Sequence, residues 1–175
     1  VSYAGPQAVH TFDKLVPPEK YFESHPEYFS EIGGKRTAKH LYSQLCMTNP
    51  EVLHIVIDSV RQWLRNDPES SIVSVSQNDS FVIDSYCTCA KCKAINDAEG
   101  SPMGAMLRFV NAVADSIKGE FPHAAVDLLA YQYSITPPSI TVPRPNVIVR
   151  YCTGACSAHP ITGCEQNAGP RHCIE

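Results

Sequence analysis

The amino-acid sequence predicts an α/β fold built on a parallel sheet. Two long amphipathic segments alternate with short runs rich in β-branched and aliphatic residues, so strands and helices follow one another along the chain. Strand–helix–strand units of this kind make right-handed crossovers between parallel strands. The 175 residues contain no repeat, low-complexity tract or linker, and we therefore expect one domain, 1–175.

Two helices are predicted from capping residues and apolar periodicity. Asn49 is a suitable N-cap for a helix over Pro50–Leu64, which carries one apolar stripe. Ser101 is a suitable cap for a second helix over Pro102–Phe121, which also carries an apolar stripe. Both stripes indicate core packing and no function.

Strands are predicted where apolar runs lie between turn residues. The clearest are Ser71–Ser76, Ala125–Tyr133 and Asn146–Cys152; Tyr42–Met47 is a further strand, and the segment near Val9 is another. The connection between the last two clear strands contains too many prolines for a helix, so we expect an irregular crossover there.

Composition narrows the possible partners and the compartment. The net charge is −4, and the basic residues form no stripe, which argues against nucleic-acid binding. No apolar run approaches membrane-spanning length, so no membrane partner is expected. Eight cysteines and fourteen prolines are typical of a secreted, extracellular chain with up to four disulfides rather than a reduced, zinc-binding one. Because Val1 is not a start methionine, the chain is expected to be processed or excised.

Polar side chains collect where the predicted strands end. In a parallel α/β sheet, binding sites gather at the carboxyl ends of the strands. The candidates at this edge are His10, Gln44, Gln77, Asn78, Asp79, Tyr131, Gln132, Tyr133 and Arg150.

Long motifs then point to a family. The segments SVSQND, YCTCAKCKAINDAEGSPMGAMLRFVNAVADSIK, LAYQY and PRPNVIVRYC resemble the domain of unknown function 4838 family over nearly the whole chain. That family is grouped with the TIM-barrel glycoside hydrolases. The resemblance implies a partial (β/α) TIM-type barrel, because a complete barrel needs roughly 250 residues. It further implies either a secreted carbohydrate-active protein or a secreted carbohydrate-binding protein that has lost catalysis.

Within that resemblance, Asp79 is the candidate catalytic residue, a general acid. Glycoside hydrolysis usually needs two carboxyl groups, but the neighbour of Asp79 is the amide Asn78, so a structural capping role for Asp79 is the alternative. The substrate-binding candidates are His10, Gln44, Gln77, Asn78, Tyr131, Tyr133 and Arg150. Arg150 and His159 fit an anionic sugar, although either is also a common structural hydrogen-bonding residue. The alternative function is a non-enzymatic structural, matrix or ligand- or metal-binding secreted protein stabilised by disulfides.

The cysteines form two groups. Cys46, Cys87, Cys89 and Cys92 are expected at one rim of the sheet, whereas Cys152, Cys156, Cys164 and Cys173 lie in a C-terminal tail rich in glycine and proline. We expect two disulfides within each group and no cofactor. Zinc bound by the first group, with two disulfides in the tail, is the alternative.

Two further expectations concern the surface of the protein. Asn78-Asp79-Ser80 is a glycosylation sequon, which makes Asn78 a candidate glycosylation site. Four or five strands cannot close a barrel, so we expect a two-fold homodimer with an apolar interface above roughly 2,000 Å².

Overall fold

The structure, a computed structural model, describes residues 2–38, 44–80 and 84–152. Its regular elements follow one another in this order: β1 Tyr3–Ala4, α1 Phe12–Leu15, α2 Pro18–Tyr21, β2 Glu31–Ile32, β3 Lys35–Arg36, α3 Pro50–Asn66, β4 Ile72–Ser74, α4 Ala90–Glu99, α5 Met103–Ile117, β5 Ala125–Ala130 and β6 Val147–Tyr151. Two 3₁₀ turns, Pro26–Tyr28 and Gln132–Ser134, accompany them.

A four-stranded parallel sheet forms the centre, in the order β1-β4-β5-β6. Its register places Ser74 beside Asp127 and Val126 beside Val147. Strands β2 and β3 make a separate antiparallel hairpin. The predicted α/β class and parallel sheet are therefore confirmed, and the connection from β5 to β6 contains no α-helix, as its prolines predicted.

One face of the sheet carries the main core. Its fully buried side chains are those of Ala4, Val73, Val126 and Leu128, which belong to one apolar cluster with the buried residues of α3 and α5. Burying a large aliphatic side chain contributes about 1.5–3 kcal/mol, so this layer dominates the stability of the domain.

Both predicted helices are present. The Asn49 Oδ1 atom accepts hydrogen bonds from the backbone N–H of Glu51 (2.9 Å) and Val52 (3.3 Å), which confirms its capping role. Helix α3 continues two residues beyond Leu64, and α5 ends at Ile117 rather than at Phe121. Helix α5 is buried on most of its surface because it contacts α3, α4 and the sheet.

Helix α4 was not predicted. Its buried residues, Cys92, Asn96 and Glu99, recur at helical spacing but are not aliphatic, so they make no apolar stripe. The signal that was present is Gly100, which ends the helix with a φ of 67° in the left-handed region that favours glycine.

Two strand predictions were wrong, and a third strand is shorter than predicted. The N-terminal strand is Tyr3–Ala4, and the segment after Val9 leads into α1 because Thr11 and Phe12 bond to the backbone of Ser76. Within Gln44–Met47, the only pairing is an isolated antiparallel bridge between Leu45 and Phe29. Strand β5 ends at Ala130, three residues early, because a 3₁₀ turn follows.

Some predictions lie outside the described residues. These are the tail positions Cys156, His159, Cys164 and Cys173 and the first residues of the strand predicted at Tyr42–Met47. Among the described residues, no helix is long and apolar enough to cross a membrane.

Candidate metal centre and strand-end site

The segment that follows β4 is held by its neighbours on both sides. The Val75 N–H donates to Asp127 O (2.8 Å), and the Ser76 carbonyl accepts from the N–H groups of Thr11 (3.1 Å) and Phe12 (3.2 Å). The Thr11 hydroxyl donates to Ser74 O (2.9 Å). The chain therefore leaves β4 in a fixed direction and presents residues 77–80 at the carboxyl edge of the sheet.

Two buried glutamines support this segment. Gln77 Nε2 donates to the Tyr131 carbonyl (3.1 Å) and to Ser134 Oγ (2.7 Å), which ties the end of β4 to the end of β5. Gln44 Nε2 donates to Asn78 O (2.9 Å), and Gln44 Oε1 accepts from the N–H of Asn78 (2.8 Å). Gln77 and Gln44 are 0% and 2% exposed, so the structure places both side chains beneath the edge and not on its surface.

Asn78 and Asp79 point their oxygens at different neighbours. Asn78 Oδ1 accepts from the N–H of Asp13 (3.0 Å) in the first turn of α1, so this side chain ties the segment to that helix. Asp79 is exposed, and its Oδ1 accepts from Ser80 N–H (3.0 Å) and from the Tyr131 hydroxyl (3.2 Å). Partial burial, together with the Asp79 carboxylate, raises the pKa of Tyr131.

His10 completes an edge cluster with Asp79 and Tyr131. Its Nδ1 lies 2.9 Å from Gln77 O, and its ring centroid lies 6.0 Å from that of Tyr131. His10 (φ 56°) and Gln132 (φ 50°) are the non-glycine residues of the described chain with left-handed backbones. Such conformations persist only where the surroundings enforce them, and they concentrate at functional sites.

Two other candidates lie away from this edge cluster. Tyr133 is 9% exposed and packs against Tyr86 at a centroid distance of 5.3 Å. A 3₁₀ turn replaces the predicted end of β5, so the alternation of side chains along a strand does not place Tyr131 and Tyr133 on the same face. Arg150 Nη2 donates to Ala8 O and to Asp127 Oδ2, both at 2.6 Å.

The Arg150 partner, Asp127, is a feature that sequence reasoning left without a role. It is fully buried, accepts from the Tyr3 hydroxyl (2.6 Å) as well as from Arg150, and has its pKa raised by burial. An aspartate inside the apolar run AVDLLA was the available signal. Because it is inaccessible, Asp127 does not supply an exposed second carboxylate beside Asp79.

Four cysteines form a second, separate cluster. The Sγ atoms of Cys46, Cys87, Cys89 and Cys92 all lie within 4.8 Å of one another, and each residue is at most 8% exposed. Sγ of Cys46 is 3.7 Å from Sγ of Cys89 and 3.9 Å from Sγ of Cys92. The predicted clustering of these cysteines is confirmed, although Cys46 is brought there by the bridge beside Phe29 and not by a sheet strand.

Three pieces of chain build the cluster. Cys46 precedes α3, Cys87 lies in the loop after β4, and Cys89 and Cys92 occupy the N-cap and first turn of α4. The amino end of a helix favours negative charge, so α4 stabilises thiolates at its start. The Cys-x-Cys-x-x-Cys segment thus forms the amino terminus of α4 and the loop that leads into it.

Polar groups surround the sulfurs. Cys87 Sγ accepts from the Glu31 N–H (3.3 Å) and from Arg36 Nη1 (3.5 Å), both on the β2–β3 hairpin. The Thr48 hydroxyl lies 3.2 Å from Cys92 Sγ and 3.7 Å from Cys46 Sγ. Hydrogen bonds of this kind orient metal ligands and offset the charge of a thiolate.

The arrangement fits a tetrahedral ion. Zn–S bonds of about 2.3 Å in a tetrahedron place the sulfurs ~3.8 Å apart, which matches the two Sγ–Sγ distances from Cys46. A disulfide needs about 2.05 Å between sulfurs, and no disulfide is present among the described cysteines, which include Cys152. The buried four-cysteine cluster can therefore hold a metal ion. The disulfides expected for this group stay a prediction.

Three thiols of the cluster have shifted pKa values, and the shifts differ in direction. Hydrogen bonds from Cys87 and then Cys92 lower the pKa of Cys46. The same contacts with Cys46 raise the pKa of Cys87 to about 11 and raise that of Cys92 as well. An ion that binds the cluster would displace the thiol protons that remain on its ligands.

Comparison with known proteins places nearly the whole chain in one family. No curated protein and no solved structure matches the chain. The family described as Domain of unknown function (DUF4838) matches residues 1–171. This match covers almost the full sequence, and the chain therefore belongs to the DUF4838 family.

Proposed function

We propose that this domain binds one zinc ion through Cys46, Cys87, Cys89 and Cys92, and that the ion has a structural role. The observation that carries the proposal is the set of four buried Sγ atoms within 4.8 Å of one another. Soft thiolate ligands in tetrahedral array select zinc or iron over magnesium and calcium. Four protein ligands leave no open position for substrate, which is the pattern of structural zinc sites.

The ion would join three separate parts of the chain. It would connect the segment before α3, the loop after β4 and the amino end of α4, and the hairpin β2–β3 would screen its charge through Arg36. Such a connection has the same mechanical effect as the two disulfides that the cysteine count first indicates. Both interpretations predict that the loop after β4 is pinned, but they differ in the chemical state of the sulfurs.

Metal analysis and thiol labelling together test the proposal. We expect about one zinc per chain in protein purified without chelator. We also expect four cysteines that resist an alkylating reagent in the native protein and react after a chelator has removed the metal. Cys152→Ser is the matched control, because Cys152 is half-buried and lies outside the cluster; it should leave the zinc content unchanged.

Several results would overturn the zinc proposal. One is intact mass showing two disulfides among these four cysteines in metal-free native protein. Another is stoichiometric iron in place of zinc, which would keep a metal centre but change its chemistry.

The second candidate function is carbohydrate binding by a secreted domain, on a partial barrel related to the TIM-barrel glycoside hydrolases. The supporting observation is the exposed Asp79 carboxylate, hydrogen-bonded to the Tyr131 hydroxyl near the His10 ring, at the carboxyl edge of a parallel sheet. Carboxylates bind sugar hydroxyls, and aromatic rings stack on sugar faces. In this proposal Gln44, Gln77 and Asn78 hold the edge and Asp79, Tyr131 and His10 contact the ligand.

Binding is favoured over hydrolysis in this proposal. Glycoside cleavage needs an acid and a second carboxylate about 5–10 Å away. Asp127 is buried and paired with Arg150, so it does not fill that role. In an enzyme, Asp79 would be the general acid; in a binding protein, it would be a hydrogen-bond acceptor for hydroxyls.

Oligosaccharide binding by an Asp79→Asn variant tests this second candidate. A panel of neutral and uronic-acid oligosaccharides is assayed for binding and for release of reducing ends. We expect binding to fall about tenfold or more in the variant, because a hydrogen bond to a charged group contributes about 1.5–3 kcal/mol. Asp58→Asn is the matched control, since its side chain is 80% exposed on α3. Equal binding by wild type and Asp79→Asn, or none by wild type to any oligosaccharide, would contradict the proposal.

We also propose that the protein forms a homodimer. Strand β6 ends the described sheet, and Ile148, Val149 and Tyr151 on it are each about 40% exposed. An edge strand with apolar side chains favours association with another chain. Light scattering at low micromolar concentration should give twice 19.2 kDa, and a mass of 19.2 kDa would contradict the dimer.

A further inference from the structure

A short set of contacts joins the cysteine cluster to the strand-end edge. Gln44 lies two residues before Cys46, and Ser85 lies two residues before Cys87. Gln44 Nε2 is 3.3 Å from Ser85 Oγ, so the two segments that lead to these cysteines also contact each other. Gln44 and Ser85 are 2% and 0% exposed, which means that water does not substitute for this contact.

Gln44 also holds the backbone of Asn78 from both directions. Its amide accepts from the N–H of Asn78 and donates to the carbonyl of the same residue, at 2.8 and 2.9 Å. Asn78 lies beyond the end of β4, and these two bonds satisfy its backbone N–H and C=O groups as a neighbouring strand would. Asn78 in turn contacts α1 through Asp13 and directly precedes Asp79. The position of Gln44 therefore contributes, with the contacts of Ser76 and Gln77, to where the exposed carboxylate is presented.

We infer that metal bound by the four cysteines orders the strand-end edge through Gln44, so that the edge has its binding geometry only in the metal-loaded protein. The inference rests on the zinc site proposed above. A tetrahedral ion fixes Cys46 and Cys87 at one separation, and this keeps Gln44 within reach of both Ser85 and Asn78. Without the ion, no covalent bond among the described cysteines joins the two segments.

Gln44 is a positioning residue in this scheme. Its side chain is buried and uncharged, and both ends of its amide are used by Asn78, so it transmits a position and no charge. The substrate-binding role that the sequence suggested for Gln44 is thereby replaced by an indirect one. Ligand contact belongs to the exposed Asp79.

Amide hydrogen exchange of Asn78, measured by NMR on the full chain, tests the inference. The Asn78 N–H bonds to Gln44 Oε1, so its exchange rate reports that bond directly. In the wild type, removing zinc with a chelator should speed this exchange about two- to tenfold, the value of one hydrogen bond of 0.5–1.5 kcal/mol. In Gln44→Ala the exchange should already be fast with zinc bound, and chelation should add little. Amides in the centre of β5 serve as an internal reference.

Gln62→Ala is the matched control, because Gln62 is exposed on α3. This variant should show the wild-type response to zinc. If Gln44→Ala does not fold, Gln44→Glu keeps the acceptor for the Asn78 N–H and loses the donor to its carbonyl, and it should show an intermediate response.

The outcomes separate this inference from the proposed function. Zinc content measured on the same samples decides whether the metal site exists. If the wild type binds zinc but its Asn78 exchange rate does not change on chelation, the coupling is overturned. The proposal of a zinc site would still stand. A zinc response that persists at full size in Gln44→Ala would also overturn it, because another route would then carry the effect.

Discussion

The two ends of helix α4 contain two buried polar sites of opposite kinds. At the amino end, the four cysteines have one another as near neighbours, with Sγ–Sγ distances that suit a common ligand. At the carboxyl end, Glu99 is fully engaged: its Oε1 accepts from Arg108 Nε (3.0 Å), Arg108 Nη2 (2.7 Å) and the Thr141 hydroxyl, and its Oε2 accepts from the backbone N–H groups of Ile140 (2.8 Å) and Thr141 (3.0 Å).

The difference shows how to separate a structural anchor from a binding site. Glu99 lies at the helix end where negative charge is disfavoured, and the five donors offset that cost and attach the proline-rich crossover to α4. Its hydrogen-bonding capacity is used within the protein. The sulfurs lie at the helix end that favours negative charge, and their Sγ–Sγ distances match those of a tetrahedral metal site. Glu99 is therefore a structural anchor, whereas the cysteines form a candidate metal site.

The largest expected effect is loss of the metal site. Cys92→Ser removes the least exposed of the four ligands, at 1% exposure, and should abolish stoichiometric zinc binding. If free zinc is about 1,000 times the dissociation constant, its contribution to the free energy of unfolding is about 4 kcal/mol, and the variant should lose that amount. Denaturant unfolding with and without chelator measures it. In the presence of chelator, the unfolding curves of wild type and variant should coincide. A variant that still binds zinc would contradict the prediction.

A smaller effect is expected at the anchor. Glu99→Gln replaces a carboxylate that accepts five hydrogen bonds with an amide whose NH₂ faces donors, so the melting temperature should fall. The decrease should be the same with zinc and with chelator, because the anchor needs no ion. Glu120→Gln is the control: this half-exposed residue pairs with Arg65 at the surface and should change stability by less than about 1 kcal/mol. A zinc-dependent effect of Glu99→Gln would show that the two ends of α4 are coupled.

The pH dependence sharpens the comparison further. Hydrogen bonds from the Thr141 hydroxyl, the backbone of Thr141 and Ile140, and Arg108 lower the pKa of Glu99 from 4.5 to about 2. A carboxyl group whose pKa is lowered by folding stabilises the folded protein at pH values above its ordinary pKa. That stabilisation is lost as the pH falls from 4.5 towards 2. The stability difference between wild type and Glu99→Gln should therefore shrink across this window in denaturant titrations with chelator present. A constant difference down to pH 2 would refute the assignment.

The smallest expected effect concerns an ordinary helix cap. Asn49 caps α3 with neutral hydrogen bonds, in contrast to the thiols at the start of α4. Asn49→Ala should lower the free energy of unfolding by about 1 kcal/mol, independent of zinc. Thermal unfolding beside the Gln62→Ala variant provides the measurement. A loss as large as that of Cys92→Ser would mean that Asn49 supports the cysteine cluster as well as its own helix.

Local patterns in the sequence were sufficient for much of the fold. The apolar stripes of α3 and α5 and the apolar runs of β4, β5 and β6 depend on neighbours a few residues away. Two of the helices and the parallel sheet were therefore predictable. The exposed Asp79 and its neighbour Tyr131 were placed at one edge by the same reasoning. Helix α4 was missed because its buried face is made of Cys92, Asn96 and Glu99, which lack the apolar signal.

Contacts between distant residues decided the rest. The spacing Cys-x-Cys-x-x-Cys identified three sulfurs, but only packing brings Cys46, 41 residues before Cys87, into the same cluster. The sequence did not separate Gln44 and Gln77, which are buried and brace the edge, from Asp79, which is exposed on it. Whether a polar side chain supports a site or lines it depends on which chain segments cover it, and that burial is set by residues 30 to 60 positions away. Residue type and spacing determined which chemistry this protein carries; tertiary packing determined which of those groups meet.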